Sequence, residues 1–320
     1  MRRAFSLAWL GNRIIEKSPA AQQEFCHCPK LSRHALQLIR VSLNLVTRLS
    51  DHVLELELFS NTLPPAITTN SFIVHDNGVG VLVDPGFHEA TSFGKVQAAL
   101  NDLNIKLLKA VLLTHTHPDH VEGLTFVQQA YPDVNVYVHP NELERLDTPN
   151  LVALAGNRKL TVGNILVEAH FTPGHSPGHL SFYVPNDALV LVGDLVAGTG
   201  SSWVGLPEGN VADYLASLDV LRALNIKILA PAHGEATNDP YGKLNEARTH
   251  RLGRLEQVLS ALGDDTLTLD ELLNRIYPDV PSKLKPLAEG SLLGLLQHHM
   301  QTMTVVHLGE DEQGPYAKRR

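Results

Sequence analysis

The sequence has little cysteine and no long apolar segment. Its two cysteines, Cys26 and Cys28, are too few among 320 residues for a disulfide framework, which indicates a reducing compartment. No apolar run approaches the roughly 20 residues of a membrane span. The N-terminus also lacks the continuous apolar core of a secretory signal. These absences predict a cytoplasmic protein with no membrane partner.

Basic residues are scarce as well. The formal net charge is −8, so the chain has no overall positive field for nucleic acid, although a local basic face stays open. The first 48 residues are different, with eight Lys or Arg and two acidic residues. We therefore expect residues 1–44 to form a separate basic extension, and organellar targeting by it remains open. Within it, Cys26 and Cys28 flank His27, and incidental thiols are favoured over a metal site because no further thiols accompany them.

Histidine, in contrast, is plentiful, with 17 residues, and several of them cluster. In the segment VLLTHTHPDH (111–120), a short apolar run is followed at once by His115, His117, Asp119 and His120. An extended backbone places His115 and His117 on one side, and the intervening proline turns the chain before the other two. Imidazoles and carboxylates are ligands that zinc prefers. The spacing favours two metals sharing one loop.

Three later segments repeat the pattern of apolar strand, ligand and small residue. His175 lies between two Pro-Gly turns with His179 four residues on, Asp194 follows Gly193 at a strand end, and His233 precedes a glycine. Each signal alone is weak, because a single histidine at a strand end is more often structural. Together with the first cluster they predict a two-metal site at one edge of the fold.

Hydrophobic periodicity predicts two strand-and-helix halves, and hence an α/β protein built as an αββα sandwich over residues 45–240. After residue 240 the pattern becomes helical and predicts a small winged-helix-like domain over residues 241–320. The predicted strands are 51–59, 71–86 with a hairpin turn at 76–78, 111–113, 135–140, 164–172, 179–185, 188–194, 226–234 and 304–308. The predicted helices are 90–103, 122–130, 142–146, 213–224, 244–262, 269–276 and 283–302.

The segment THTHPDH matches the HxHxDH signature, so the chain resembles the metallo-β-lactamase superfamily. The resemblance implies two zinc ions. One would be held by His115, His117 and His175, the other by Asp119, His120 and His233, with Asp194 bridging them. It further implies that Asp84, at a strand end, orients a ligand histidine, and that His179 lies beside the site without being a ligand.

A narrower resemblance rests on GDLVAGTGSSWVG, DYLASLDVL, PAHG, EARTHRLGRLEQVL and the three-helix tail. These segments are similar to the lactamase-β-like protein 2 group, which joins the sandwich to a C-terminal winged helix. Its animal members are described as endoribonucleases. The likeness covers about residues 45–310 and leaves the basic extension unexplained.

The resemblance implies an enzyme, a zinc-dependent metallo-hydrolase using a bridging hydroxide that Asp119 orients and deprotonates. The first hypothesis is a phosphodiesterase or endoribonuclease acting on single-stranded RNA. Lys243, Arg248, Arg251 and Arg254 on the predicted helix 244–262 could then meet phosphates, although an ordinary solvated helix face explains them equally well.

The alternative is a hydrolase for thioesters or other small acyl compounds, of the glyoxalase II type. Ser201, Ser202 and Trp203, just after Asp194, would line its substrate pocket. A third hypothesis, a non-catalytic winged-helix binding module, is disfavoured because all seven ligand positions are filled. RNA and a small acyl substrate are thus the two expected partners, and a homo-oligomer stays open.

Overall fold

The structure, a computed structural model, describes residues 46–61 and 67–319. The basic extension, with Cys26 and Cys28, lies outside the described residues. The strands are β1 Val46–Arg48, β2 Val53–Phe59, β3 Thr68–Asp76, β4 Val79–Val83, β5 Leu107–Leu112, β6 Asn135–Val138, β7 Leu151–Ala153, β8 Arg158–Val162, β9 Ile165–Phe171, β10 Leu180–Val184, β11 Leu189–Leu191, β12 Ile228–Ala230, β13 Thr266–Leu267, β14 Val305–His307 and β15 Tyr316–Lys318. The helices are α1 Ala90–Asp102, α2 Pro118–Val121, α3 Leu124–Ala130, α4 Val211–Arg222, α5 Pro240–Leu262, α6 Leu269–Ile276 and α7 Lys285–Gln301.

Two mixed sheets form the centre of the fold. One has seven strands in the order β1 to β7, antiparallel up to β4 and parallel from β4 onward. The other has five strands in the order β12-β11-β10-β9-β8. The β3–β4 hairpin turns at Asn77 and Gly78, whose φ values of 48° and 76° are those that a tight two-residue hairpin turn requires.

Side-chain alternation along the strands separates two hydrophobic cores. On β4, Val81 and Val83 pack between the two sheets, whereas Leu82 packs with the helices outside the first sheet. Helices α1 and α3 cover that outer face, and α4 and α5 cover the outer face of the second sheet. Helix, sheet, sheet and helix layers therefore follow one another, which confirms the predicted αββα sandwich.

The segment after residue 240 contains three helices and the three-stranded sheet β13-β15-β14. Helix α6 begins at a capping box in which Thr268 and Glu271 bond each other's backbone N–H. Leu255 and Leu292 of this segment share one hydrophobic core with Leu218 of α4. The boundary at residue 240 and the winged-helix-like description of the segment remain predictions.

Several elements differ from the predicted ones. Pro140–Arg145 is a 3-10 helix where an α-helix over 142–146 was predicted. The helix predicted over 122–130 begins at Leu124, and a separate short helix, α2, precedes it. Strands β1, β7, β8, β13 and β15 were not predicted, because segments of two to five residues are too short to show a clear strand pattern. None of the described helices combines the length and the hydropathy that crossing a bilayer demands.

Candidate metal centre

The predicted ligands lie on loops that leave the ends of several strands. Segment 113–120 follows β5, Asp194 lies three residues beyond β11, and His233 lies three residues beyond β12. His175 lies on the connection between β9 and β10. The two sheets thus direct four separate loops to one place. The structure brings the ligands together in two groups, one of His115, His117, His175 and Asp194 and one of Asp119, His120 and His233.

In the first group three imidazoles point inward. Nδ1 of His117 lies 2.9 Å from Nε2 of His115 and 3.0 Å from Nε2 of His175. The outer ring nitrogens are committed elsewhere: Nδ1 of His115 to Thr114 Oγ1 at 3.0 Å, Nε2 of His117 to Glu208 Oε2 at 3.2 Å, and Nδ1 of His175 to the Trp203 carbonyl at 2.7 Å.

These outer contacts fix the tautomers. A carbonyl and a carboxylate are acceptors only, so His175 and His117 must donate to them. Thr114 Oγ1 donates to Asp84 Oδ2 at 2.7 Å, so it accepts from His115. The remaining nitrogens of the three imidazoles then face one another, and each carries a lone pair when the ring holds only its outer proton. A bound cation resolves that arrangement, and imidazole nitrogens suit zinc.

In the second group the histidines also donate outward. Nδ1 of His120 donates to Asp84 Oδ2, and Nδ1 of His233 donates to the Thr68 carbonyl, both at 2.9 Å. Their Nε2 atoms therefore face inward. They lie 3.5 Å and 3.2 Å, respectively, from Oδ2 of Asp119.

Asp194 lies between the two groups. Its Oδ2 is 3.5 Å from Nε2 of His175, whereas its Oδ1 is 3.4 Å from Nε2 of both His120 and His233. Oδ1 and the buried Nε2 of His120 have no hydrogen-bond partner among the described residues. Unpartnered buried polar atoms are costly, and a cation shared by them would remove that cost. The donor set therefore fits two divalent ions with Asp194 facing both.

The electrostatics of the second group also favour a bound cation. Burial lowers the pKa of His233, but Asp194 and Asp119 outweigh burial and raise it to about 10. Burial also lowers the pKa of His120, but the neighbouring carboxylates outweigh burial and raise this pKa well above its ordinary value. In the first group, burial and the neighbouring imidazoles hold the pKa of His115 well below its ordinary value. The second group thus attracts positive charge, whereas His115 of the first group is held as a neutral imidazole.

Asp84 and His179 lie immediately behind the ligands. Asp84 accepts the Thr114 N–H at 2.8 Å in addition to the bond from His120, and its φ of 51° is one that Asp tolerates better than most residues. His179 accepts the Asp194 N–H at Nε2, 3.2 Å away, and donates from Nδ1 to Thr172. Burial lowers the pKa of His179 to about 3, so it stays neutral. Neither residue is among the inward-facing ligands, and both fix ligands in place.

Two residues that contact the predicted ligands, Glu208 and Thr69, and one that contacts Glu208, Arg145, were not identified from the sequence. Glu208 accepts from His117, and the Arg145 Nη1 lies 2.7 Å from its other oxygen. The hydrogen bond from His117 is the main cause that lowers the pKa of Glu208 to about 2. Thr69 donates to Asp119 Oδ2 at 3.1 Å. No local motif marks these positions, because each reaches the site through tertiary contact only.

The predicted pocket residues occupy different surroundings. Ser201 and Ser202 line a cavity of about 50 Å³ against α5, together with Tyr214 and His250. Such a volume holds a few water molecules rather than an acyl chain. Trp203 instead lies beside His175, with ring centroids 6.5 Å apart, and its Nε1 donates to the Leu287 carbonyl. A substrate-binding role for all three remains a prediction.

The basic residues expected to meet RNA are engaged within the protein. Lys243 pairs with Glu246 at 3.0 Å, and Arg248 pairs with Asp219 at 3.1 Å. Arg251 is only 4% exposed and donates to the Ser202 carbonyl. The fourth, Arg254, stacks on the Tyr277 ring and donates to Gln257. The expectation of a basic face is therefore wrong for Arg251, because its guanidinium is inside the protein.

Two solved structures share the fold. A metallo-beta-lactamase family protein from Thermus thermophilus superposes with a TM-score of 0.71 at 24% identity, covering 85% of this chain and 100% of that one. A beta-lactamase domain protein from Burkholderia ambifaria gives a TM-score of 0.76 at 19% identity, with 86% and 93% covered. The shared fold therefore extends over most of the described chain.

Curated relatives are similar in sequence. The lactamase-like protein adaB of Aspergillus niger is 29% identical over 68% of this chain and 70% of its own length. An atrochrysone carboxyl ACP thioesterase of Pseudocercospora fijiensis is 30% identical over 65% of this chain and 62% of its own. A thioesterase of the same name from Aspergillus chevalieri is 26% identical over 71% and 75%.

The family model of the metallo-beta-lactamase superfamily matches residues 64–233, which is more than half of the chain. The match spans every predicted ligand, from His115 to His233. The chain belongs to the metallo-beta-lactamase superfamily and is an enzyme of that superfamily, a hydrolase.

Proposed function

We propose that the protein is a di-metal hydrolase, of the zinc-dependent type, that cleaves the thioester of a small acyl substrate. The observation that carries the proposal is the complete inward-facing ligand set, in a chain with relatives named as ACP thioesterases at 26% and 30% identity. A thioester is thus preferred to RNA as the substrate. No observation at α5 favours RNA, since its basic residues are paired or buried.

The proposed ligand assignment follows the two groups. His115, His117 and His175 would hold one ion, Asp119, His120 and His233 the other, and Asp194 would contact both. When bound, two such ions supply Lewis-acid polarisation of the carbonyl and a water of lowered pKa. The carboxylate of Asp119, held by Thr69, is placed to accept a hydrogen bond from the attacking water and then its proton.

The five ligand histidines donate their outer N–H groups to acceptors within the protein, so these groups are not placed to protonate a leaving group. Asp119, once it has taken the proton of the attacking water, is the group placed to pass that proton on. A thiolate departs more readily without a proton than an alkoxide does, because a thiol has a pKa of about 8.5. The site is therefore compatible with a thioester, and the preference for a thioester over other acyl compounds rests on the relatives named as ACP thioesterases.

A matched pair of substrates tests the proposal. The zinc-loaded protein is given a thioester and an oxygen ester of the same acyl group, and release of thiol or alcohol is followed. We expect thioester turnover to exceed ester turnover. Asp119→Ala should lower it by roughly 100-fold or more, as for loss of a group that acts in general base catalysis. Equal or faster turnover of the oxygen ester, or full activity of the variant, contradicts the proposal. Thermal unfolding checks that the variant is folded.

A further inference from the structure

The 203–208 loop contacts two of the three histidines in the first ligand group. The Trp203 carbonyl accepts the His175 Nδ1–H at 2.7 Å, and Oε2 of Glu208 accepts the His117 Nε2–H at 3.2 Å. Each bond fixes the ring so that its other nitrogen faces inward. The position of one short loop therefore sets the orientation of two inward-facing nitrogens.

The other side of this loop rests on helix α7, far along the chain. The Trp203 indole N–H donates to the Leu287 carbonyl, and the Leu206 N–H donates to the Gly290 carbonyl, both at 3.0 Å. Both acceptor carbonyls belong to the C-terminal segment, more than 50 residues beyond the last predicted ligand, His233. Helix α7 thus contacts the same loop that orients His175 and His117.

The loop and helix α7 approach each other so closely that neither Gly205 nor Gly290 has room for a side chain. A Cβ added at Gly290 would lie 2.8 Å from the Leu206 carbonyl oxygen, and one added at Gly205 would lie 2.7 Å from the Gly290 carbonyl carbon. Both obstacles are backbone atoms and cannot rotate away. A Cβ at Gly294 would meet the Gly205 Cα at 3.4 Å, which is a milder contact. A methyl group at Gly290 must therefore displace the 203–208 loop, whereas one at Gly294 fits with little or no shift of the loop.

The sandwich holds the far end of the loop. Nη1 of Arg145 lies 2.7 Å from Oε1 of Glu208, so the carboxylate is held between Arg145 and His117. Nε of Arg145 lies 3.5 Å from the buried Glu142, which also accepts the Gly178 N–H. Displacing the loop would therefore change the charge-assisted contact between Glu208 and His117. It would also move the Trp203 carbonyl that accepts from His175.

We propose that helix α7 positions the first metal group through the 203–208 loop, with Glu208 and the Trp203 carbonyl as the positioning groups. The C-terminal segment would then complete one half of the metal centre. The inference rests on the metal site proposed above but not on the choice of substrate. It predicts that changes on α7 weaken metal binding at the first group and leave the second group unaffected.

The test measures zinc affinity by competition with a chromophoric chelator, and the absorption spectrum of the cobalt-loaded protein. Both are recorded in the full chain and in a His233→Ala background, which leaves the first group as the intact one. The variants are Glu208→Gln, Gly290→Ala and Gly294→Ala. The control is Gly253→Ala on helix α5, where an added Cβ meets no atom of the described residues within 4 Å.

We expect Glu208→Gln and Gly290→Ala to weaken zinc binding at the first group by about 10-fold or more, with a smaller effect for Gly294→Ala. The cobalt spectrum should shift in the same order, and Gly253→Ala should match the parent. If Gly290→Ala does not fold, the zinc affinities and cobalt spectra of Glu208→Gln and Gly294→Ala test the proposal. A parent that binds zinc at both groups, with variants that keep its first-group affinity and cobalt spectrum, overturns the inference. A parent that binds no zinc overturns the metal site itself.

Discussion

His120 donates from Nδ1 to Oδ2 of Asp84 at 2.9 Å, and both side chains are fully buried. The same carboxylate accepts from the backbone and the hydroxyl of Thr114, the residue before His115. One aspartate therefore orients a ligand in each metal group, directly in the second and through Thr114 in the first. A change at this one position should affect both groups.

Asp84→Asn tests this relationship. Asparagine tolerates the φ of 51° at this position, so the backbone should be retained. Loss of the charge and of one acceptor oxygen should lower zinc affinity by about 10- to 100-fold. Competition with a chelator measures the change. The control is Asp219→Asn, which neutralises an exposed carboxylate on α4. Unchanged zinc affinity in Asp84→Asn would show that Asp84 supports the fold alone.

Removal of a single ligand should separate the two groups. In His115→Ala the first group loses one of three converging imidazoles, whereas the second keeps Asp119, His120 and His233. We expect the zinc content after dialysis against weak chelator to fall from two ions to one per chain. Elemental analysis of the parent and the variant measures it. Retention of both ions would contradict the assignment of His115 to the first group.

Arg251 and Arg248 form a matched pair on helix α5. Arg251 is buried, bonds the Ser202 carbonyl at 2.8 Å and lies over the Tyr214 ring, whereas Arg248 is half-exposed and pairs with Asp219. Arg251→Met should lower the free energy of unfolding by about 2 to 4 kcal/mol, because it leaves a carbonyl unpaired and removes a cation–π contact. Arg248→Met should cost less than about 1 kcal/mol. Denaturant titration compares them, and equal effects would contradict this account of the helix.

Glu55 on β2 should make stability depend on pH. Burial, with Glu57 and Glu235 nearby, raises its pKa to about 7 from an ordinary value of 4.5. The folded state therefore holds a proton that the unfolded chain releases, so this group's contribution to stability falls as pH rises from 4.5 to about 7. Glu55→Gln should be about 1 to 2 kcal/mol more stable than the parent at pH 8 and equal to it near pH 4. Denaturant unfolding at both pH values measures the difference, and a difference that does not change with pH would contradict the prediction.

Local patterns were sufficient to predict the sandwich and the residues that converge at the candidate metal centre. The alternation in β2, the apolar run in β4 and the Asn77-Gly78 turn are encoded within a few neighbouring residues, and the family signature follows one strand end. The superfamily assignment is confirmed. The roles of the individual ligands remain proposals, although the structure brings all seven together.

Features that depend on distant parts of the chain could not be predicted in this way. Glu208 and Arg145 are 63 positions apart and meet only after folding. The glycines at 205 and 290 carry no signal alone, because their significance lies in the contact between loop and helix. The burial of Arg251 was missed for a related reason: a charged residue on an amphipathic helix normally faces water, and here an interior carbonyl and an aromatic ring compensate it.

The most direct test of the central claim offers an acyl thioester and a single-stranded RNA, in parallel, to one zinc-loaded preparation. Thiol release and RNA fragments are quantified for the parent and for Asp119→Ala. We expect thioester hydrolysis that is lost in the variant, with no RNA cleavage that depends on Asp119. RNA cleavage that is lost in Asp119→Ala, without thioester turnover, would contradict it and would restore the ribonuclease hypothesis.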